Sequence, residues 1–194
     1  MKWVVAVIVV CLALYTFFTL KYRKAGEPYR PYEDGVQRTT TARLLAGGWS
    51  RIPVALDRPV DAPRADATPA AVTRAEPGLG AELDAAFVEK PRLLTSVASV
   101  VAQPDVDRGQ PYLARFRGKL PDLHGQIGDV LLYRRGNTLV LIPVVEPLPD
   151  KGLLSRWEEA GYTLSFPTQS LPAGRYEVTL RAAGPAARWS FTAR

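Results

Sequence analysis

The stretch from Trp3 to Leu20, WVVAVIVVCLALYTFFTL, carries no charge, proline or glycine, and Lys21-Tyr22-Arg23-Lys24 closes it. Wound as an α-helix at 1.5 Å per residue it is about 27 Å long, close to the roughly 30 Å hydrocarbon core of a bilayer. A helix satisfies its own backbone amides, which lipid requires. Trp3 and Tyr22 lie near the two ends, where amphipathic rings prefer the headgroup level, and Lys2 and the basic cluster can reach toward phosphates. Residues 1–24 are therefore expected to form one transmembrane anchor with a basic flank.

A cleaved leader is the competing reading. Phe17, Phe18, Leu20 and Lys21 occupy the zone where a small-x-small cleavage site belongs. The run also exceeds the apolar core of about 7 to 15 residues usual for a leader. Cys11 follows Ile8-Val9-Val10 inside the run, which is no lipid-attachment pattern. Two orientation signals disagree. Lys21, Arg23 and Lys24 outnumber Lys2, placing the C-terminal side in the cytoplasm, whereas a Met-Lys start suits an N-in anchor with an exported domain.

The chain beyond the anchor has room for one ordinary domain with connecting segments. The formal charge is +6 over 194 residues, but part of it sits beside the anchor and the remainder is interspersed with acids. That is no nucleic-acid footprint. Cys11 is the only cysteine, so the soluble part has no internal disulfide and no thiolate chemistry.

Ala25-Gly26-Glu27-Pro28 should break the helix, and a second is expected from Pro31 to Ala46. Glu33 and Asp34 suit its first turn, Gly47-Gly48 its end, and Val36, Thr40 and Leu44 share a face with Leu45 beside it. Such a helix docks on the soluble domain or lies at the membrane surface with Arg38 and Arg43 near headgroups. Trp49–Leu56 reads as a short extended piece, completing a juxtamembrane segment 25–57. From Arg58 to Gly78, four prolines stand among alanines and charges without an aromatic, the composition of a spacer. A short helix from Gly80 to Lys90, offering Leu83 and Phe87 at i, i+4, completes the spacer region 58–91.

From Leu93 onward the apolar period becomes two. Tyr112, Ala114, Phe116 and Leu120 alternate with Leu113, Arg115, Arg117 and Lys119. Tyr176, Val178 and Leu180 do the same, as do Trp189 and Phe191. With Leu94–Val101, Asp129–Arg134, Thr138–Val145, Leu153–Trp157 and Tyr162–Phe166 these make about eight strands. Turn signals such as Arg135-Gly136-Asn137 separate them. The expected fold is mainly β: an antiparallel β-sandwich over 92–194 behind one transmembrane helix.

Leu171-Pro172-Ala173-Gly174-Arg175-Tyr176 resembles the lead-in to the penultimate strand of the immunoglobulin-like superfamily, where a tyrosine corner forms. Ala187–Thr192 resembles its last strand. The likeness covers 92–194, is architectural, and departs from the antibody type in lacking both intersheet cysteines. Trp157 and Trp189 are candidates to fill the core, though neither matches the strand-C tryptophan. The resemblance implies recognition or assembly more than chemistry.

The hairpin Val130–Tyr133 and Leu139–Val145 is apolar on both faces. Its outer face, with Leu131, Tyr133, Val140, Ile142 and Val144, demands a cover: the helices near 32–46 or 80–90, a partner protein, or a second copy. These five residues form the candidate interaction surface. Arg115, Arg117 and Lys119 form a candidate basic stripe for headgroups or anionic polymers, or a plain solvated face.

No catalytic, cofactor-binding or metal site is expected. His124 is the only histidine, in a loop with Asp122 and Asp129 nearby, a weak basis for a metal. Gly78-Leu79-Gly80 follows no strand, and Glu158-Glu159 are mere neighbours. Three roles remain: a non-enzymatic docking or assembly module in the envelope, as protein partner or homo-oligomer; a glycan or anionic-polymer binder; or an accessory protein of a membrane redox complex. The last rests on the way one anchor plus an exported sandwich resembles some oxidase-assembly proteins such as the FixH family. By analogy with anchored cysteine-free sandwiches of bacterial-type chains, the C-terminal domain is placed outside the cytoplasm.

Overall fold

A computed structural model describes residues 2–22, 31–57, 71–149, 152–155 and 158–194. The chain divides into two compact units, Met1–Gly35 and Val36–Arg194. The first contains α1, Lys2–Tyr22, an unbroken helix of 21 residues and so about 32 Å long. Its apolar side chains, from Trp3 to Phe18, stay exposed. Its threonine hydroxyls need no water, because Thr16 Oγ1 donates to the Leu12 carbonyl at 2.8 Å and Thr19 Oγ1 to that of Tyr15. By length and composition α1 can cross a membrane, a test that a leader also passes.

The second unit is mainly β. Its smaller sheet has the order β2 (Ala55–Asp57), β9 (Glu159–Pro167), β6 (Pro111–Lys119), β4 (Ser96–Ala102). The larger sheet runs β1 (Ser50–Ile52), β7 (Gly125–Arg135), β8 (Thr138–Pro147), β10 (Gly174–Leu180), β11 (Ala186–Ala193), β3 (Thr73–Ala75), with β5 (Asp105–Val106) also on β11. The two inner faces share one core. Alternation builds it: Tyr112, Ala114 and Phe116 of β6 meet Tyr176, Val178 and Leu180 of β10 and Trp189 and Phe191 of β11.

Aromatic rings tie the layers together. Phe191 stacks on Tyr112 at 4.2 Å and on Tyr176 at 5.4 Å between ring centres, and Phe166 lies 5.0 Å from Tyr112. Such pairs contribute about 0.5–1.5 kcal/mol each beyond area burial. Their polar tips are satisfied: Trp189 Nε1 donates to Tyr112 Oη at 2.9 Å, and that hydroxyl donates to the Gln103 carbonyl at 3.0 Å. Burial pushes the Tyr112 phenol well above its ordinary pKa, against the lowering effect of the Trp189 bond. Tyr176 Oη turns back to the Pro172 carbonyl at 2.8 Å, pinning the start of β10.

Several expectations change. Two pairings are parallel, β8 with β10 and β5 with β11, so the assembly is not purely antiparallel. After β8 the chain crosses to the smaller sheet as β9, then returns to lie beside β8; a crossover, unlike a hairpin, permits parallel pairing. The domain does not begin at 92. β1 pairs with β7, β2 with β9 and β3 with β11, so strands from both the juxtamembrane segment and the expected spacer belong to the domain. Residues 58–70 themselves lie outside the described residues. The expected helix 80–90 shrinks to α3, Ala81–Ala86, with Phe87 already extended. Residues 153–155 carry no strand, and Trp157 lies outside the described residues, whereas Trp189 sits in the core.

Candidate interaction surfaces

The β7–β8 hairpin turns on Gly136 at φ +59°, a value that suits glycine in a two-residue connection. Its register sets Tyr133 opposite Val140 and Leu131 opposite Ile142. Leu132, Leu139 and Leu141 point into the main core. Tyr133, Val140 and Ile142 point the other way and are buried too, in a second cluster with Leu44, Trp49, Leu79, Leu83 and Phe87. Leu131 packs at its margin, and Val144 is half-buried outside it. This is the pattern of a strand pair covered on both faces.

The cover is the chain itself. Leu44 comes from the end of α2 (Pro31–Ala46) and Leu83 from α3. Gly48, at φ +78°, turns the chain out of α2, while the Trp49 amide bonds back to the Leu44 carbonyl at 2.9 Å. Phe87 meets Tyr133 edge to face at 6.0 Å. The Arg135 guanidinium lies 4.5 Å from the Trp49 ring and pairs with Glu82 at 2.6 Å, linking both halves of the cover to the hairpin tip. Thr40 Oγ1 accepts the Val88 amide at 3.3 Å, joining α2 to the segment after α3. Each fully buried side chain here contributes about 1.5–3 kcal/mol in transfer terms. Burial also raises the Tyr133 phenol above its ordinary pKa. The candidate surface of Leu131, Tyr133, Val140, Ile142 and Val144 is thus not an open face in the folded chain.

Arg115, Arg117 and Lys119 project from the outer face of the smaller sheet. Their cross-strand neighbours are Thr163, Gly161 and Glu159 on β9, and Val101, Ser99 and Ser96 on β4. Lys119 pairs with Glu158 at 3.1 Å. Arg115 and Arg117 have no carboxylate partner among the described residues. Arg117 lies along the bare backbone of Gly161, where a Cβ would stand 3.7 Å from its Cγ. A dimple of about 70 Å³ beside Arg115 is lined by Val101, Leu113 and Thr163.

Around His124 the carboxylates are engaged. Asp122 Oδ1 accepts the His124 amide at 3.0 Å and its other oxygen pairs with Arg92, whose hydrogen bond holds the carboxyl below its usual pKa. Asp129 pairs with Arg51 at 3.2 Å. The described residues bring no three of His, Cys, Asp and Glu together. Outside β10 and β11, a wide groove of about 620 Å³ passes Asn137, Arg175 and Arg188. Arg188 pairs with Glu177 at 3.1 Å and Arg175 donates to Ser190 Oγ at 2.9 Å.

Arg181, just past the alternation of β10, carries no signal in the sequence. Its Nη1 donates to the Glu76 carbonyl at 3.5 Å, while Nε is buried without a partner among the described residues. Desolvation lowers its pKa, yet a guanidinium stays charged. A Cβ at Gly80 would stand 3.0 Å from Nη2, so this arginine packs against the lead-in to α3. That is a role in holding the cover.

Compared with known families, characterised proteins and solved structures, the chain matches none.

Proposed function

We propose that this chain is a single-pass membrane protein whose C-terminal domain is a non-catalytic, immunoglobulin-like docking or assembly module outside the cytoplasm. The observation that carries the reading is α1: an exposed apolar helix, long enough to cross a membrane, whose threonine hydroxyls bond to its own backbone.

The immunoglobulin-like assignment draws on Tyr176, whose hydroxyl returns to a carbonyl four residues upstream at the start of the penultimate strand. Val178, two residues on and fully buried, then occupies the place of the missing intersheet cysteine. The first long strand also changes sheets: β4 pairs with β6, and after Gln103-Pro104 β5 pairs with β11.

A reporter active only when exported, fused after Arg194, should be active, and the chain should stay in membranes through alkaline carbonate extraction. A fluorescent cytoplasmic fusion without exported activity overturns the topology. A second reading, binding of an anionic polymer, rests on Arg115 and Arg117, whose charges have no partner among the described residues. Retention on an anionic polysaccharide matrix that is lost in Arg115→Ala/Arg117→Ala would favour it over docking.

A further inference from the structure

Among the described residues the sheets end on strands of two kinds. β1, β2 and β3 have three residues each, and each carries or adjoins a charge or a proline: Arg51 before Pro53, Asp57 after it, Arg74 in β3. β5 has two residues, next to Pro104, and its Asp105 pairs with Arg194 at 3.1 Å. Short, charged, proline-flanked edges are the means by which β proteins prevent pairing between copies.

β4 has none of these features. It is seven residues long, SVASVVA, within a run from Leu93 to Gln103 that holds no charge and no proline. Its N-terminal part is protected. A bulge interrupts the register between Val97 and Ser99, and the Val97 amide bonds to the Pro185 carbonyl at 3.0 Å. From Ala98 to Ala102 the side turned away from β6 makes no backbone bond among the described residues. Ala98, Ser99 and Val101 are exposed there, Val101 at 42%. Over these residues the edge leaves ladder donors and acceptors, unpaired among the described residues, that another strand would satisfy.

We propose that two copies of this chain pair through β4, antiparallel about a two-fold axis near Val100, joining their smaller sheets into one. A two-fold contact sets the same patch against itself, so the patch must not repel its own image. An uncharged run meets that condition. The adjoining basic stripes meet it as well: in the pair, one β6 lies three strand spacings from the other, about 14 Å, beyond the screening length of about 8 Å at physiological salt. The proposal rests on the anchored reading above, which confines the copies to one membrane.

The test uses the full chain in native membranes with Cys11→Ser as background, Ser99→Cys as probe and a short bismaleimide. Thr163→Cys is the control, on the same face but two strands further in, about 24 Å from its image in the pair. The Ser99 probe should give a cross-linked dimer and the Thr163 control should not. Adding Val101→Lys, an exposed change that leaves the fold intact, should reduce the Ser99 dimer at least tenfold. Equal cross-linking at both sites, no dimer at Ser99, a dimer indifferent to Val101→Lys, or an adduct with a different protein each overturns the proposal. Carbonate extraction of the same membranes separates the two failures: loss of the chain to the supernatant counts against the anchor, and retention without the Ser99 dimer counts against the edge.

Discussion

The outer faces of the two sheets follow opposite rules. Over the β7–β8 hairpin the larger sheet is apolar outside as well as inside, and residues from α2, Trp49 and α3 close over Tyr133, Val140 and Ile142. On the smaller sheet, β6 alternates strictly, and Arg117 and Lys119 stand exposed beside serine, glycine and glutamate. One face is a second core and the other is a surface. The difference shows why the chain invests residues 36–49 and 79–87 where it does. A two-sided apolar hairpin is stable only under a lid, whereas an alternating strand needs none.

The comparison breaks most readily at the lid. Phe87→Ala should cost about 3 kcal/mol, as for other buried aromatic truncations, lowering Tm by roughly 6–12 °C for a domain of this size. It should also raise binding of an apolar dye as Tyr133 and Ile142 are uncovered. Calorimetry and dye fluorescence read both. A Tm change under 2 °C would mean the lid contributes little.

Alkaline pH gives the next effect, through the main core. The Tyr112 phenol is raised by burial, so its stabilising contribution is complete below the ordinary tyrosine pKa of about 10 and is lost as pH rises above it. Between that value and the folded-state value the unfolded chain binds fewer protons than the folded one. Stability then falls by about 1.4 kcal/mol per pH unit from this group, with Tyr133 acting in the same direction. Urea midpoints at pH 9 and 11 should diverge less in Tyr112→Phe than in the parent chain.

A smaller change comes from the start of β10. Tyr176→Phe removes one hydroxyl bond and should cost about 1 kcal/mol by urea titration. Smallest of all, Arg117→Ala on the wet face should change stability by less than about 0.5 kcal/mol. A larger loss there would mean that this face, too, is covered.

How legible all this was depends on pattern length. β6, β10 and β11 read directly as alternation. The need for a lid was legible from Leu131–Tyr133 and Val140–Ile142, because no solvated strand is apolar on both sides. Edge strands of three residues, such as Thr73–Ala75, are too short to carry a period. They are placed by partners distant in sequence, Ala75 by Ala186 for example, and composition alone made their surroundings read as a spacer. The parallel pairing of β8 with β10 is a property of the crossover path, and no local residue encodes it. Arg181 was missed because its burial comes from Gly80, about a hundred positions away in the chain.

The most direct test of the lid is a proton NOE spectrum of the full chain in detergent micelles. Cross-peaks between the Phe87 and Tyr133 rings, whose centres lie 6.0 Å apart, are expected alongside those between Tyr112 and Phe191 at 4.2 Å, which report the main core. Core cross-peaks without any between Phe87 and Tyr133 would contradict the account, leaving the hairpin's outer face bare in a domain that is otherwise folded.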